Sequence, residues 1–180
     1  MRTEYQRSFT ALPLLWAGIG RFVERCPQYA VLFGPVSISA RYAAASRRLI
    51  VEYLSAHRIH PRLAREVTPR HPFPAGSRTA TPDHAMPATP DSVDELSRLI
   101  ARIEHDGKGV PVLLRQYLEL GGKVLGFSLD RDFADTLDGL IMVDLREVDE
   151  AVMARYMGKR GAATFRAYHA LDTSHRQRGP

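Results

Sequence analysis

Residues 11–25 limit what this chain can fold into more than any other stretch. In the run Ala11 to Arg25, flanked by Ser8 and Thr10, the residues Leu12, Leu15, Trp16, Ile19, Phe22 and Val23 recur at i, i+3, i+4 and i+7. That spacing puts them on one face of an α-helix. Ser8 or Thr10 can cap its start, and Pro13 fits the first turn, where a missing N–H goes unused. Such a helix must lie against a core that the rest of the chain supplies. Its first turn also leaves backbone amides free at the positive end of the helix dipole, an environment that attracts phosphate, and Arg7 adds a fixed charge.

The core-forming segments follow in order. Pro27 stops the helix, and Tyr29 to Phe33 reads as a buried strand that continues extended through Gly34-Pro35 to Ser39. A second helix is predicted from about 41 to 57, with Tyr42, Ala45, Leu49, Tyr53 and Leu54 inward and Arg47 and Arg48 in water. From 58 to 90 the composition changes: proline recurs at 61, 69, 72, 74, 82, 87 and 90. This stretch reads as a Pro/Arg/His-rich loop. The spacing of His57, His60, His71 and His84 fits no metal-ligand pattern, so no metal site is expected. Asp91 caps a third helix that faces inward with Val93, Leu96, Leu99, Ile100 and Ile103. A fourth helix, 110–120, is closed by Gly121-Gly122. Strands are predicted at 123–129, where Gly126 marks a bulge or a close approach, and at 138–145. The second is so apolar that it reads as a central strand covered on both faces. The connection between them suits an antiparallel pairing. Two short helices, 150–157 and 161–169, precede a polar tail at 172–180.

One domain accommodates the 180 residues, and the 44% hydrophobic and 25% charged fractions are those of a globular protein. The net charge of +5 favours acidic partners: phosphates, anionic lipid headgroups, an acidic carrier protein or nucleic acid. A nucleic-acid module is not expected, because aromatic and basic residues do not interleave on a strand face. The single cysteine, Cys26, excludes an internal disulfide, fits a reducing compartment and reads as filler. No apolar run approaches the ~20 residues that cross a bilayer, and no signal-peptide pattern is present.

Several ordered blocks resemble the bacterial GNAT-type N-acyltransferases, in the branch of ornithine-lipid N-acyltransferases and hemolysin-like proteins. They are Glu4-Tyr-Gln-Arg-Ser-Phe with Leu14 to Val23, Tyr29 to Ser39, Val112 to Phe127, Asp138 to Leu145 and Arg155 to Gly158. The resemblance covers most of the chain except roughly 58–90 and the tail. It implies an α/β protein with a partial GNAT fold. This would be the C-terminal half of an acyl-CoA N-acyltransferase-like domain, with a small mixed sheet flanked by helices, filling residues 1–171. It implies a truncated form, because the family's first strands would precede Met1.

The resemblance further implies transfer of an acyl or 3-hydroxyacyl group from an acyl carrier protein or acyl-CoA to the α-amine of an amino acid such as ornithine. The donor is a substrate rather than a resident cofactor. In this family the strands before and after the first helix splay apart and admit the donor's pantetheine arm. That places donor binding on Tyr5, Gln6, Arg7, Ser8, Phe9 and Thr10, although glycines more usual in such loops are replaced here by Ser8 and Phe9. Implied partners are the carrier protein, the amino acid and, peripherally, an anionic membrane; the implied location is the cytoplasm, with or without membrane association. Ser37 and Ser39 are candidates for the substrate pocket or plain turn residues. The acidic turn Asp130, Asp132 and Asp135 attracts a cationic amine or is a solvated hairpin end. Arg115 pairs with that turn, faces an acidic partner or serves the structure alone. No residue stands out as general base. A second reading is a non-catalytic remnant or a complementing subunit.

Overall fold

A computed structural model describes residues 11–74 and 89–170, with side chains from residue 13. In chain order the elements are α1 (Ala11–Arg25), β1 (Val31–Ile38), α2 (Ala44–His57), a short 3-10 turn (Leu63–Arg65), α3 (Val93–Ile103), α4 (Val112–Glu119), β2 (Lys123–Asp130), β3 (Thr136–Asp144) and α5 (Glu150–Tyr168). This is a mixed α/β architecture: among the described residues, five helices and a three-stranded open sheet of order β1-β3-β2. The chain divides into two units, residues 1–32 with 144–180, and residues 33–143. The tail at 172–180 lies outside the described residues.

In the first unit, α1 packs on α5. Trp16 and Val23 are buried, and the Trp16 ring lies 5.3 Å from that of Tyr156. The helices meet where α1 has no side chain: a Cβ on Gly20 would sit 2.6 Å from the Tyr156 carbonyl oxygen. Because α5 takes the Trp16–Gly20–Val23 side, part of the expected apolar stripe stays in water. Leu15 is 58% and Phe22 51% exposed, and Phe22 stacks on Tyr29 at 5.5 Å. The two short helices expected near the C-terminus are the halves of α5. They are separated at Gly158, whose φ of 75° and ψ of 161° interrupt the helical backbone. Arg146 holds the Asp144 carboxyl below its ordinary range through a direct hydrogen bond, which outweighs the opposing effect of burial.

In the second unit the core lies on one face of the sheet. On β3, Leu137, Gly139, Ile141 and Val143 are buried while the intervening residues are half-buried. β3 is thus the central strand, as its apolar run predicts, but only one face is fully covered. Val36 and Ile38 of β1 join this face, and the Phe127 ring of β2 lies over Gly139. The N-terminal part of β1 departs from the expected buried strand: Val31 is 39% and Phe33 77% exposed. β1 is an edge strand, where Pro35, with no N–H to offer a further neighbour, is tolerated. All three strands pair antiparallel, so the sheet is not mixed. Among the described residues the parallel pairing is one isolated bridge, Ile59 to Val124.

α2 buries Leu49, Ile50, Val51, Tyr53 and Leu54, and α3 buries Leu96 and Ile100. Tyr42 precedes α2 and donates its hydroxyl to the Gly109 carbonyl, while Ala45 is exposed. Ser92, one residue after the expected Asp91, caps α3 by accepting from the Glu95 amide. Glu95 in turn accepts from the Asp91 amide. α4 ends in a Schellman turn: the Gly122 amide reaches the Tyr117 carbonyl, the Gly121 amide reaches Leu118, and Gly121 takes φ +74°. Glu104 is a buried carboxylate that ties the N-terminus of α2 to the end of α3. It accepts from the Ala43 amide at 2.8 Å and pairs with Lys108 at 3.2 Å. Burial pushes its carboxyl up, but the Ala43 amide and the Lys108 ammonium are among the groups that bring it below the ordinary range.

Candidate functional site

The half-covered face of the sheet carries a groove of about 280 Å³. Its floor is built by strand alternation: Gly126 and Ser128 from β2, Asp138 and Leu140 from β3, and Pro35 from β1 all project away from the core. Its wall is Val67, Thr68 and Pro69, from the stretch read as a solvated loop. That stretch is strapped along the outer edge of β2 at two places. At one end the Val124 amide donates to the Arg58 carbonyl and the His60 amide to the Val124 carbonyl. At the other the Leu129 amide donates to the His71 carbonyl, and the Ser128 hydroxyl bonds both the amide and the carbonyl of His71. Between the straps the chain turns through residues 63–65, where the His60 ring Nδ1 accepts from the Leu63 amide at 3.1 Å.

The Pro-rich segment therefore does the work of a fourth strand over part of its length, as far as it is described, and the His60 ring serves as local structure. The β2 register shifts between Val124 and Gly126, so Gly126 marks a bulge as its sequence position predicts. It marks a close approach too: a Cβ there would touch Val67 at 3.5 Å and Pro69 at 3.6 Å.

The groove's charged group is Asp138. Its carboxylate accepts from the Ser37 hydroxyl at 2.6 Å, and no cation pairs with it among the described residues. Asp138 stands opposite Ser128 in the β2–β3 register, so Ser37, Asp138 and Ser128 form one polar row across three strands. The flanking Pro35, Val67, Pro69 and Leu140 are apolar. A negative charge with open lone pairs and apolar walls can hold a cation on a hydrocarbon stem, and it repels an anion.

Of the pocket candidates, Ser37 stands at this groove. Ser39 does not: it turns the chain after β1, its hydroxyl accepting from the Arg41 amide at 3.2 Å. Arg115 pairs with Asp94 of α3 at 2.6 Å and not with the acidic turn. That hydrogen bond and charge hold the Asp94 carboxyl below its ordinary range. Asp130 folds the β2–β3 hairpin by accepting from the Asp132 and Phe133 amides, at 3.0 and 3.1 Å. Asp130 lies two positions beyond Ser128, the β2 partner of Asp138, so it is a diagonal neighbour of Asp138 on the same sheet face, roughly 7–8 Å away. Asp132 is exposed beyond the strand end. The donor-loop candidates Tyr5, Gln6, Arg7, Ser8, Phe9 and Thr10 lie outside the described residues. Sequence reasoning missed Asp138 and the Val67–Pro69 wall. A carboxylate opening an otherwise apolar strand was the available signal for the first.

Among the described residues, no group of three or more His, Cys, Asp or Glu could hold a metal ion, and no helix is long and apolar enough to cross a membrane. Compared with protein-family models, curated proteins and solved structures, the chain matches none.

Proposed function

We propose that the chain is an N-acyltransferase of the GNAT type. It takes an acyl or 3-hydroxyacyl thioester from an acyl carrier protein, or acyl-CoA, and transfers the acyl group to the α-amine of an amino acid such as ornithine. The observation that supports this most is the groove: an unpaired carboxylate in an apolar slot, beside an edge strand, β1, that directly follows the first helix. An amine held there has its nitrogen oriented by the Asp138–Ser37 pair and its carbon stem against Pro35 and Leu140. The donor phosphate falls to Tyr5, Gln6, Arg7, Ser8, Phe9 and Thr10 by the family resemblance, and the net charge of +5 favours an acidic carrier protein.

The acceptor arrives as an ammonium and first gives up a proton to solvent, and the neutral amine then attacks the thioester carbonyl. The C–N bond forms, the C–S bond breaks, and the amine's proton leaves with the thiol or to solvent. Most of the acceleration this chain can supply is positional, from holding amine and thioester together. The carbonyl oxygen also becomes an oxyanion that backbone amides can stabilise.

The test is direct. The chain is incubated with 3-hydroxyacyl carrier protein or acyl-CoA and a panel of amino acids, and N-acyl products are read by mass spectrometry. N-acyl-ornithine formation above the uncatalysed background is expected. Release of free fatty acid with no N-acyl product, or no turnover of either donor, would overturn the reading.

A further inference from the structure

We infer that the groove between β2, β3 and the Val67–Pro69 wall is a binding site for a primary alkylammonium, with Asp138 as its counter-ion. As the seat of the acceptor amine it rests on the acyl-transfer reading above; as an ammonium site it stands on its own geometry.

Four features select this ligand class. The first is charge. The Ser37 hydroxyl satisfies one lone pair of Asp138 but leaves the carboxylate negative, and no cation among the described residues neutralises it. An incoming cation therefore gains a charge-assisted hydrogen bond without displacing a protein partner. The second is size. A volume of about 280 Å³ falls at or below the ~300–1,000 Å³ of drug-sized sites, which suits a short chain.

The third is the lining. Pro35, Val67, Pro69 and Leu140 offer hydrocarbon to the stem, and a polyhydroxylated ligand would leave most of its hydroxyls unpaired against them. The fourth is the aromatic group. Quaternary ammonium sites are built from several ring faces, whereas this groove has one aromatic lining residue, Phe127, whose ring packs over Gly139 on the side of the sheet away from Asp138. Asp138 thus offers a hydrogen-bond acceptor to an N–H-bearing cation and no cage to a methylated one. The wall is held by backbone bonds at Val124 and Leu129 on either side of the slot, so little ordering remains to be done on binding.

The experiment is a titration of the full chain followed by amide chemical shifts. The probes are n-butylammonium, n-butanol, butyrate and tetramethylammonium. The inference predicts that n-butylammonium saturates shifts at Gly126, Ser128, Asp138 and Leu140, while the other three cause no saturable change there. Asp138→Asn, which keeps the shape and the Ser37 contact, is expected to weaken n-butylammonium about tenfold or more. Gly126→Leu, which fills the slot and leaves the carboxylate in place, is expected to abolish the shifts. Equal binding by Asp138→Asn, or equal shifts with butyrate or butanol, would overturn the site. Binding of n-butylammonium without any N-acyl product from an acyl donor would leave the site standing and remove the transferase. N-acyl-ornithine production with an unchanged KM in Asp138→Asn would leave the transferase standing and remove the groove as the acceptor's seat, while the ammonium titration decides the site itself.

Discussion

Glu104 and Asp138 are carboxylates with opposite fates. Glu104 is buried and surrounded by donors, from the Ala43 amide to the Lys108 ammonium, which in turn lies 4.6 Å from the Tyr42 ring centroid. Asp138 is half-buried, and among the described residues the Ser37 hydroxyl is its hydrogen-bond partner. The first reads as structure, the second as a place for a ligand. Truncating Glu104 to Ala leaves the Ala43 amide without its partner and removes one of the two carboxylates that hold Lys108, so a loss of about 2 kcal/mol in urea-unfolding stability is expected. The pH dependence has a defined sign. The folded-state pKa of Glu104 lies below its ordinary value of 4.5, so its contribution is fully present above pH 4.5 and is lost as pH falls through the lowered folded value. Asp94 and Asp144, held down mainly by hydrogen bonds from Arg115 and Arg146, act in the same direction. Urea midpoints measured from pH 7 down to 3 should therefore fall, and Glu104→Gln should flatten part of that fall. An unchanged profile in Glu104→Gln would show that the carboxylate is not what holds α2 to α3.

Glycine placement decides where several elements end, and it was the most legible feature of the sequence. Gly121-Gly122 predicts the stop of α4, and the Schellman turn found there explains both residues. Gly121 needs φ +74°, and a Cβ on Gly122 would stand 2.6 Å from the Tyr117 carbonyl oxygen. Gly121→Ala is expected to cost about 1 kcal/mol through backbone strain. Gly122→Ala should cost more, about 2–3 kcal/mol, because rigid backbone must shift; thermal unfolding of the two variants checks the order. Gly158 separates the halves of α5 with φ 75° and ψ 161°, a region that alanine avoids, so Gly158→Ala should lower stability by about 1–3 kcal/mol. What periodicity could not tell was which side of an amphipathic element would find a partner. The α1 stripe is read correctly as apolar, yet α5 covers the Trp16–Val23 side and leaves Phe22 exposed. Tyr29 to Phe33 has a buried strand's composition but begins an edge strand.

The whole molecule was legible in its order of elements and less so in its contacts. Helix, strand and hairpin appear in the predicted sequence, and β3 takes the central place its apolar run implies. Native-state hydrogen exchange should accordingly be slowest at Leu137, Gly139, Ile141 and Val143, within the unit formed by residues 33–143. The Pro-rich stretch reads as a loop because proline and histidine composition says nothing about which sheet edge a segment will lie along. Its straps at Val124 and Leu129 depend on backbone groups that every residue carries. The candidate site was half visible for the same reason. Ser37 could be picked out by position, whereas Asp138 gains meaning only when β1, β2 and β3 align it between Ser37 and Ser128 and the wall of Val67 to Pro69 closes beside it. The net charge of +5 is a property of the whole chain that points to acidic partners without choosing among them.

Acyl transfer as proposed requires one chain to bring an acyl thioester and an amine together at the Asp138 groove. The most direct measurement is the KM for ornithine in acyl transfer by the unmodified chain and by Asp138→Asn, with donor affinity measured in parallel. The account predicts N-acyl-ornithine from the unmodified chain, a KM raised about tenfold or more in Asp138→Asn, and donor affinity unchanged. No N-acyl product from the unmodified chain, or the same KM in both proteins, would contradict it.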